Sequence, residues 1–422
     1  MKSVKARVIE VMPGSLRESI KFFRRIIDPA PIETRVLRDY NFAEDTSHAP
    51  RITLIMPYLS QQRAFGGVKT AYDFFAKIVE NVKEDLNVDV RILVEEAYDE
   101  NDTIIADAAG IEIESLKDKQ WTVTTRRREI FLVFNWWISL NLDRVVKAQA
   151  RHFDQELQPK FYLLQEYEPN FYPFSSANLL ATGAVNSPED QNVIFNTKEL
   201  FDYYTSLENR CRKSYVFEPM IASALKPHLD GLNAQSKKRI ILIYGRRGIE
   251  RNCFTILEAG LGEYASMMPT NKSVDAGGWR IVSAGLKHAD INLGNGFRLE
   301  SVGKLSIDDY GQLLRQSAVG VSLMASPHPS YPPLEMAHFG LRTLTNNYAN
   351  KDMSKRHENL LPLKQVTPAN LGECLKETCE TFEKNPELGI EARSFMPSFM
   401  SGESFYSCIE EVSKDIIDTF EA

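Results

Sequence analysis

Short unbroken apolar runs, each followed by a turn and then by helical periodicity, recur along this chain. A run without polar alternation is a strand covered on both faces, and such strands alternating with helices build a parallel α/β sheet. Two copies stand out. Ile240–Tyr244 leads through the basic turn Gly245-Arg246-Arg247-Gly248 to Arg251 and a helix start. Val319–Met324 leads through Ala325–Ser330 into Tyr331-Pro332-Pro333-Leu334-Glu335. In an open parallel sheet these strand-to-helix turns lie along one edge, where ligands bind. One turn offers guanidinium groups and the other offers helix-start N–H groups and a carboxylate. That set suits a diphosphate carrying a diol-bearing sugar.

At 422 residues the chain exceeds one ordinary core. Its units fall into two groups. The first has strands at Ile52–Tyr58, Val88–Val94, Ile130–Phe134, Phe161–Leu164, Val193–Phe195 and Tyr215–Phe217, and Glu218-Pro219 closes it. The second follows the polar segment Pro227–Lys237, with strands at Arg239–Tyr244, Trp279–Ala284, Phe297–Ser301, Val319–Met324 and Leu341–Thr345. Helical patterns separate these strands, and helices at Pro368–Lys384 and Glu403–Phe420 end the chain. The expected class is α/β, with two Rossmann-like domains facing across a cleft, spanning residues 46–220 and 221–399.

Residues 1–45 precede this pattern as an N-terminal extension. Within it, Ser15–Ile27 sets Leu16, Ile20, Phe23 and Ile27 on one stripe beside Arg17, Lys21, Arg24 and Arg25. A basic amphipathic helix of this kind can lie peripherally on an anionic membrane, or its stripe can pack on the protein or on a second subunit of a homo-oligomer. The overall net charge of −7 argues against nucleic acid as a partner. Five cysteines without a CxxC pair, scattered charges through Met1–Glu10, and an apolar run at Ile130–Leu142 broken by Asn135 lead to the expectation of a cytoplasmic protein.

Several residues are candidates for binding or chemistry. Arg246 and Arg251 can neutralise a diphosphate, or form surface ion pairs. The amides of Ser330 and Tyr331 open a helix that Pro332 and Pro333 pre-set, and Glu335 can accept two hydroxyl hydrogen bonds from a ribose or simply favour the helix dipole. Gly66 and Gly67 leave room for a ligand at a helix N-terminus, or serve a structural turn. Trp136 and Trp137 are either packing or a platform on which an acceptor sugar stacks. Glu166 and Glu168, in Gln165–Tyr172, crowd a strand end together with aromatics. The scattered histidines and the absence of HExxH, GxSxG and Walker A patterns favour metal-free group transfer, with no cofactor beyond the donor.

With those residues in place, the chain resembles the retaining GT-B glycosyltransferases of family 4, most strongly over Lys238–Asn346. Tyr244-Gly245-Arg246 with Arg251 is similar to the family's Gly-Arg…Lys pattern, with Arg in the Lys place. Ser301-Val302-Gly303-Lys304-Leu305 resembles its base-binding turn, which makes Gly303, Lys304 and Leu305 donor contacts by resemblance. Pro332, Leu334-Glu335 and Gly340 match the end of its Glu-x7-Glu motif. Tyr162–Tyr172 resembles the narrower branch that transfers L-rhamnose to S-layer glycans. The resemblance implies a dTDP-L-rhamnose donor and a rhamnose-containing, lipid-linked glycan acceptor. It also implies retention and a C-terminal helix, within 400–422, that crosses back to the first domain. Two positions depart from the pattern: Pro327 stands where the first Glu of the motif belongs, and the usual N-domain His falls within Gln165–Glu168, where Glu166 or Glu168 could substitute. A nucleotide-sugar epimerase on the same fold and a non-catalytic sugar-binding subunit are the alternatives.

Overall fold

The computed structural model describes residues 36–60, 66–96, 98–99, 102–104, 111–272 and 276–421. The basic stripe expected over 15–27 lies outside these residues, as do residues 61–65 of the first glycine loop. The first unit runs β1 (Asn41–Glu44), β2 (Arg51–Met56), α1 (Gly66–Asp85), β3 (Asp89–Val94), β4 (Glu112–Ser115), β5 (Thr122–Thr125) and β6 (Glu129–Val133). It continues with α2 (Trp136–His152), β7 (Lys160–Leu164), α3 (Ser176–Val185), β8 (Ser187–Asn196), α4 (Lys198–Ser206) and β9 (Cys211–Phe217). Its main sheet is parallel throughout, in the order β4-β3-β2-β6-β7-β8-β9, and β1 pairs separately with β5.

The second unit runs β10 (Lys238–Gly245), α5 (Phe254–Met267), β11 (Arg280–Gly285), β12 (Ile291–Gly294), β13 (Phe297–Gly303), α6 (Ile307–Gln316) and β14 (Ser317–Val321). Then come α7 (Tyr331–His338), β15 (Arg342–Thr345), β16 (Leu360–Pro362), α8 (Pro368–Lys384), α9 (Pro397–Ser401) and α10 (Glu403–Glu421). Its sheet order is β12-β13-β11-β10-β14-β15-β16, with only the β12–β13 pairing antiparallel. Strand order reverses between β2 and β6 in one sheet and between β10 and β14 in the other. Each reversal opens a crevice at the carboxyl ends of the strands.

The central strands are buried on both faces, as their unbroken apolar runs require. The last helix leaves the second unit and packs on the first. Phe405, Cys408, Ile409, Val412, Ile416 and Phe420 recur at helical spacing and join the core cluster of α1 and β9. Phe405 packs edge-on to Phe74 and Phe217, at 5.5 and 5.4 Å between centroids. Among the described residues no helix is long and apolar enough to cross a membrane.

One buried charge cluster holds the amino-terminal edge of the first sheet. Glu129 is fully buried and accepts from Arg51 (2.7 and 3.0 Å), Arg91 (2.7 Å), Thr53 (2.5 Å) and the Arg126 amide (2.9 Å). Burying these ions is costly, so completing the network is what makes their burial tolerable.

Candidate active site

The turns after β10 and β14 stand side by side because those two strands are neighbours. The Ala325 amide donates to the Arg251 carbonyl at 2.8 Å and ties the turns together. Around them lie Tyr244, Arg246, Arg251 and Glu335. Burial raises the Tyr244 phenol above its ordinary range; Arg246, which also hydrogen-bonds it, and Arg251 lower it, and Glu335 raises it. All three charges therefore act on one phenol. Two of them come from the first turn and one from the helix after the second.

Glu335 lies in α7 and is only 9% exposed. Tyr310 Oη donates to its Oε2 at 2.9 Å, and its other oxygen has no partner among the described residues. Burial pushes this carboxyl up to about 7, against a smaller lowering by Tyr310. The pair of ribose hydroxyls expected there meets a carboxylate with one oxygen already in use.

The helix N-terminus is poorer in donors than expected. Ser330, held at φ 69°, donates its amide to His328 Nδ1 at 2.9 Å. Pro332 and Pro333 carry no N–H at all, so Tyr331 supplies the free amide of the first turn. The Tyr331 hydroxyl accepts from Asn196 at 3.1 Å and so joins the two domains.

The glycines have mixed reasons. A Cβ on Gly245 would fall 1.9 Å from Ser283 Oγ, so close strand packing alone demands glycine there. Gly303 sits at φ 74°, and a Cβ would press on Lys287 at 3.3 Å. Lys304 beyond it is lowered by burial and lies within reach of Asp102 in the first domain, while Leu305 packs on the second-domain core. α1 begins at Gly66, and the Gly67 carbonyl accepts from Gln165 Nε2 at 2.8 Å, so Gln165 closes on the bare glycine.

From the first domain, β7 delivers Glu166 into the cleft. Its Oε2 accepts from Ser326 Oγ across the interface. Burial raises Glu166, and Arg251, Ser326 and Lys351 oppose that rise. Phe171 lies under the Arg251 guanidinium at 4.3 Å. Glu166 thus reaches the residue beside Pro327, at the turn where the motif's carboxylate is missing.

Two acceptor-side expectations fail. Trp136 is 0% exposed, with its indole N–H donated to Tyr172 Oη at 2.9 Å, so no sugar can stack on it. Glu168 accepts from the Trp136 amide (2.6 Å), Tyr162 Oη (2.5 Å) and Asn135 Nδ2 (3.1 Å), and so caps α2 instead of facing an acceptor. Both follow from a helix starting where the sequence reads as a strand end. Trp137 is half-buried and donates to Glu95 Oε2 at 2.8 Å.

Residues missed in the sequence complete the picture. Lys351, 1% exposed, donates to the carbonyl of Met324 at 3.0 Å, and burial brings it down to about 8. His328 is buried and brought down to about 3, chiefly by burial, with Nε2 unpartnered among the described residues. Neither carries a spacing signal; only the fold brings them to the turn.

Known proteins resemble this chain over both units. Residues 51–198 match the family model for the N-terminal domain of WsaF, and residues 239–376 match that for its C-terminal domain. The O-antigen biosynthesis protein RfbC of Myxococcus xanthus is 28% identical over 261 residues, 61% of this chain. Those residues span 19% of that curated relative's length. Among solved structures, a glycosyltransferase from Rickettsia africae aligns with TM-score 0.56 at 12% identity, covering 88% of this chain and 99% of that one. HepE of Anabaena, solved with UDP and glucose, aligns with TM-score 0.55 at 11% identity, covering 89% and 100%. These likenesses show the fold: two Rossmann-like domains in the GT-B arrangement.

Proposed function

This chain belongs to the WsaF family, and on that premise we propose that it transfers L-rhamnose from dTDP-β-L-rhamnose to a rhamnose-containing, lipid-linked glycan with retention, in the cytoplasm and without a metal ion. The observation that carries the reading is the convergence of Arg246, Arg251 and Glu335 on Tyr244. The finer sugar assignment follows the resemblance to the S-layer glycan β-1,2-L-rhamnosyltransferase. The curated relative's name, in O-antigen biosynthesis, agrees with a glycan product.

In this reading the second domain, 221–399, holds the donor. The first, 46–220 with the helix within 400–422, holds the acceptor. The diphosphate sits against Arg246 and Arg251, whose guanidinium groups offset the charge that grows as the C1–O bond to phosphate breaks. The Tyr331 amide adds one donor. A deoxyribose offers one 3′-hydroxyl, which suits the single open oxygen of Glu335. The acceptor oxygen bonds to C1 on the face the phosphate leaves, and its proton passes to the departing phosphate oxygen. No protein base is required. Glu166 stands in for the carboxylate absent at Pro327 and lies opposite the same turn.

The test is calorimetric titration with dTDP, UDP, GDP and NAD, followed by transfer assays. Tight dTDP binding, rhamnose transfer by the wild type, and loss of transfer in folded Glu335→Ala and Arg246→Ala are expected. Wild-type rates in both substitutions would reject the reading. Conversion of the donor without any acceptor would replace it with an epimerase.

A further inference from the structure

Trp136 and Glu168 are withdrawn into the first domain, so the acceptor side of the cleft needs another surface. The loop between β7 and α3 supplies one. From Pro169 to Pro188 the chain carries no ionisable side chain, although one residue in four of the whole sequence is charged. The loop is held firmly. Asn178 Nδ2 donates to the Pro169 carbonyl at 2.9 Å, and Ser175 Oγ accepts from the Asn178 amide at 3.3 Å to cap α3. Tyr172 is tied inward, its hydroxyl accepting from the Trp136 indole at 2.9 Å. Its two aromatic neighbours go the other way: Phe171 is 37% exposed and Phe174 fully exposed.

A single exposed aromatic is common and needs no account. Here two stand three residues apart in a pinned, uncharged loop, and the first of them reaches the donor turn. The Arg251 guanidinium lies over the Phe171 ring at 4.3 Å. Beside it, the exposed Asn170 donates through Nδ2 to Tyr203 Oη at 3.2 Å and to Tyr348 Oη at 3.4 Å. Tyr203 belongs to the first domain and Tyr348 to the second, so this aromatic rim runs across the mouth of the cleft. The side-chain carbonyl of Asn170 has no partner among the described residues and faces solvent.

The chemistry of the rim selects the ligand. Rigid aromatic faces take the apolar C–H face of a sugar ring, at little cost in side-chain entropy. Amide and phenol edges accept from and donate to its hydroxyl groups. An anionic glycan would call for cations along the loop, and a bilayer surface draws on Lys and Arg beside its apolar residues; residues 169–188 contain neither. From these features we infer that Asn170, Phe171 and Phe174 form the acceptor subsites, binding a neutral oligosaccharide with its terminal sugar against Phe171, beside Arg251, and the preceding sugars against Phe174. The place of these subsites in the reaction rests on the transfer proposed above; the binding of a saccharide to them does not.

The probes are a rhamnose-containing disaccharide and tetrasaccharide, both neutral, titrated by calorimetry into the full chain. The variants are Phe171→Ala and Phe174→Ala; the second removes a fully exposed ring, so its folding is not at stake. The wild type should bind the tetrasaccharide more tightly than the disaccharide. Phe174→Ala should weaken the tetrasaccharide about tenfold, the scale of covering one aromatic face, and leave the disaccharide unmoved. Phe171→Ala should weaken both. Wild-type affinities for both saccharides in both variants overturn the inference, as does the absence of any binding to the wild type at millimolar concentration. Phosphatidylcholine–phosphatidylglycerol vesicles that sediment with the wild type but not with Phe174→Ala, while saccharide affinities stay unchanged, overturn it in favour of a membrane face. The dTDP titration is read separately: failure of dTDP to bind, with the saccharide pattern intact, rejects the donor reading and leaves the subsites standing.

Discussion

A stability measurement isolates Glu335 before any ligand is added. Burial raises its carboxyl from the ordinary 4.5 to about 7. The folded protein therefore binds one proton more than the unfolded chain between those values, and stability falls as pH rises through that window. Above about 7 both states are ionised at this position and the loss is complete. At 1.36 kcal/mol for each tenfold in acidity, the loss is about 3 kcal/mol. Glu335→Gln keeps the shape and a carbonyl for Tyr310 to donate to, but has no charge to bury. Urea unfolding of wild type and variant at intervals from pH 5 to 8 gives a difference curve in which other titrating groups cancel. The expected curve stands at about 1 kcal/mol in favour of the variant at pH 5, where the unfolded chain is already mostly ionised, and rises to about 3 kcal/mol at pH 8. A variant thus stabilised yet weakened for dTDP identifies a carboxylate kept for function. Parallel curves at every pH would refute the claim that Glu335 is a destabilised buried charge.

Three further outcomes follow from the same structure. Arg246→Ala should lower the transfer rate about 100-fold or more at saturating acceptor, the usual scale for removing one transition-state donor, with an unchanged melting temperature; a smaller loss would leave the diphosphate to Arg251 alone. Glu129→Ala leaves Arg51 and Arg91 buried without their carboxylate and should destabilise the chain by about 3–5 kcal/mol, read as a lowered urea midpoint, whereas an unchanged midpoint would show the cluster to be solvated. Trp136→Ala should cost about 3–5 kcal/mol of stability while leaving the acceptor KM of the folded enzyme unmoved; a KM raised without loss of stability would restore the stacking role.

The two-domain α/β plan was legible because doubly covered strands write nearly unbroken apolar runs: Ile240–Tyr244 has no charged or amide side chain, and Ile52–Met56 is interrupted only by Thr53. Edge strands such as β4 and β12 are half exposed and short, and leave no such mark. The Trp136–His152 helix went unread because its first residues continue the apolar run of β6; the break is Asn135, held at φ 85° and tied through its side chain to Glu168, thirty-three residues on. That one misplaced boundary turned two packing residues, Trp136 and Glu168, into apparent acceptor contacts. Arg246, Arg251 and Glu335 could be named because each sits at a fixed offset from a strand end. Lys351 and His328 could not, because what matters about them is burial, which only tertiary packing supplies.

The most direct measurement is a crystal structure of the full chain with dTDP. The account predicts the diphosphate between the Arg246 and Arg251 guanidinium groups, with the 3′-hydroxyl on the open oxygen of Glu335. A nucleotide bound elsewhere, or one whose phosphates touch neither arginine, would contradict it.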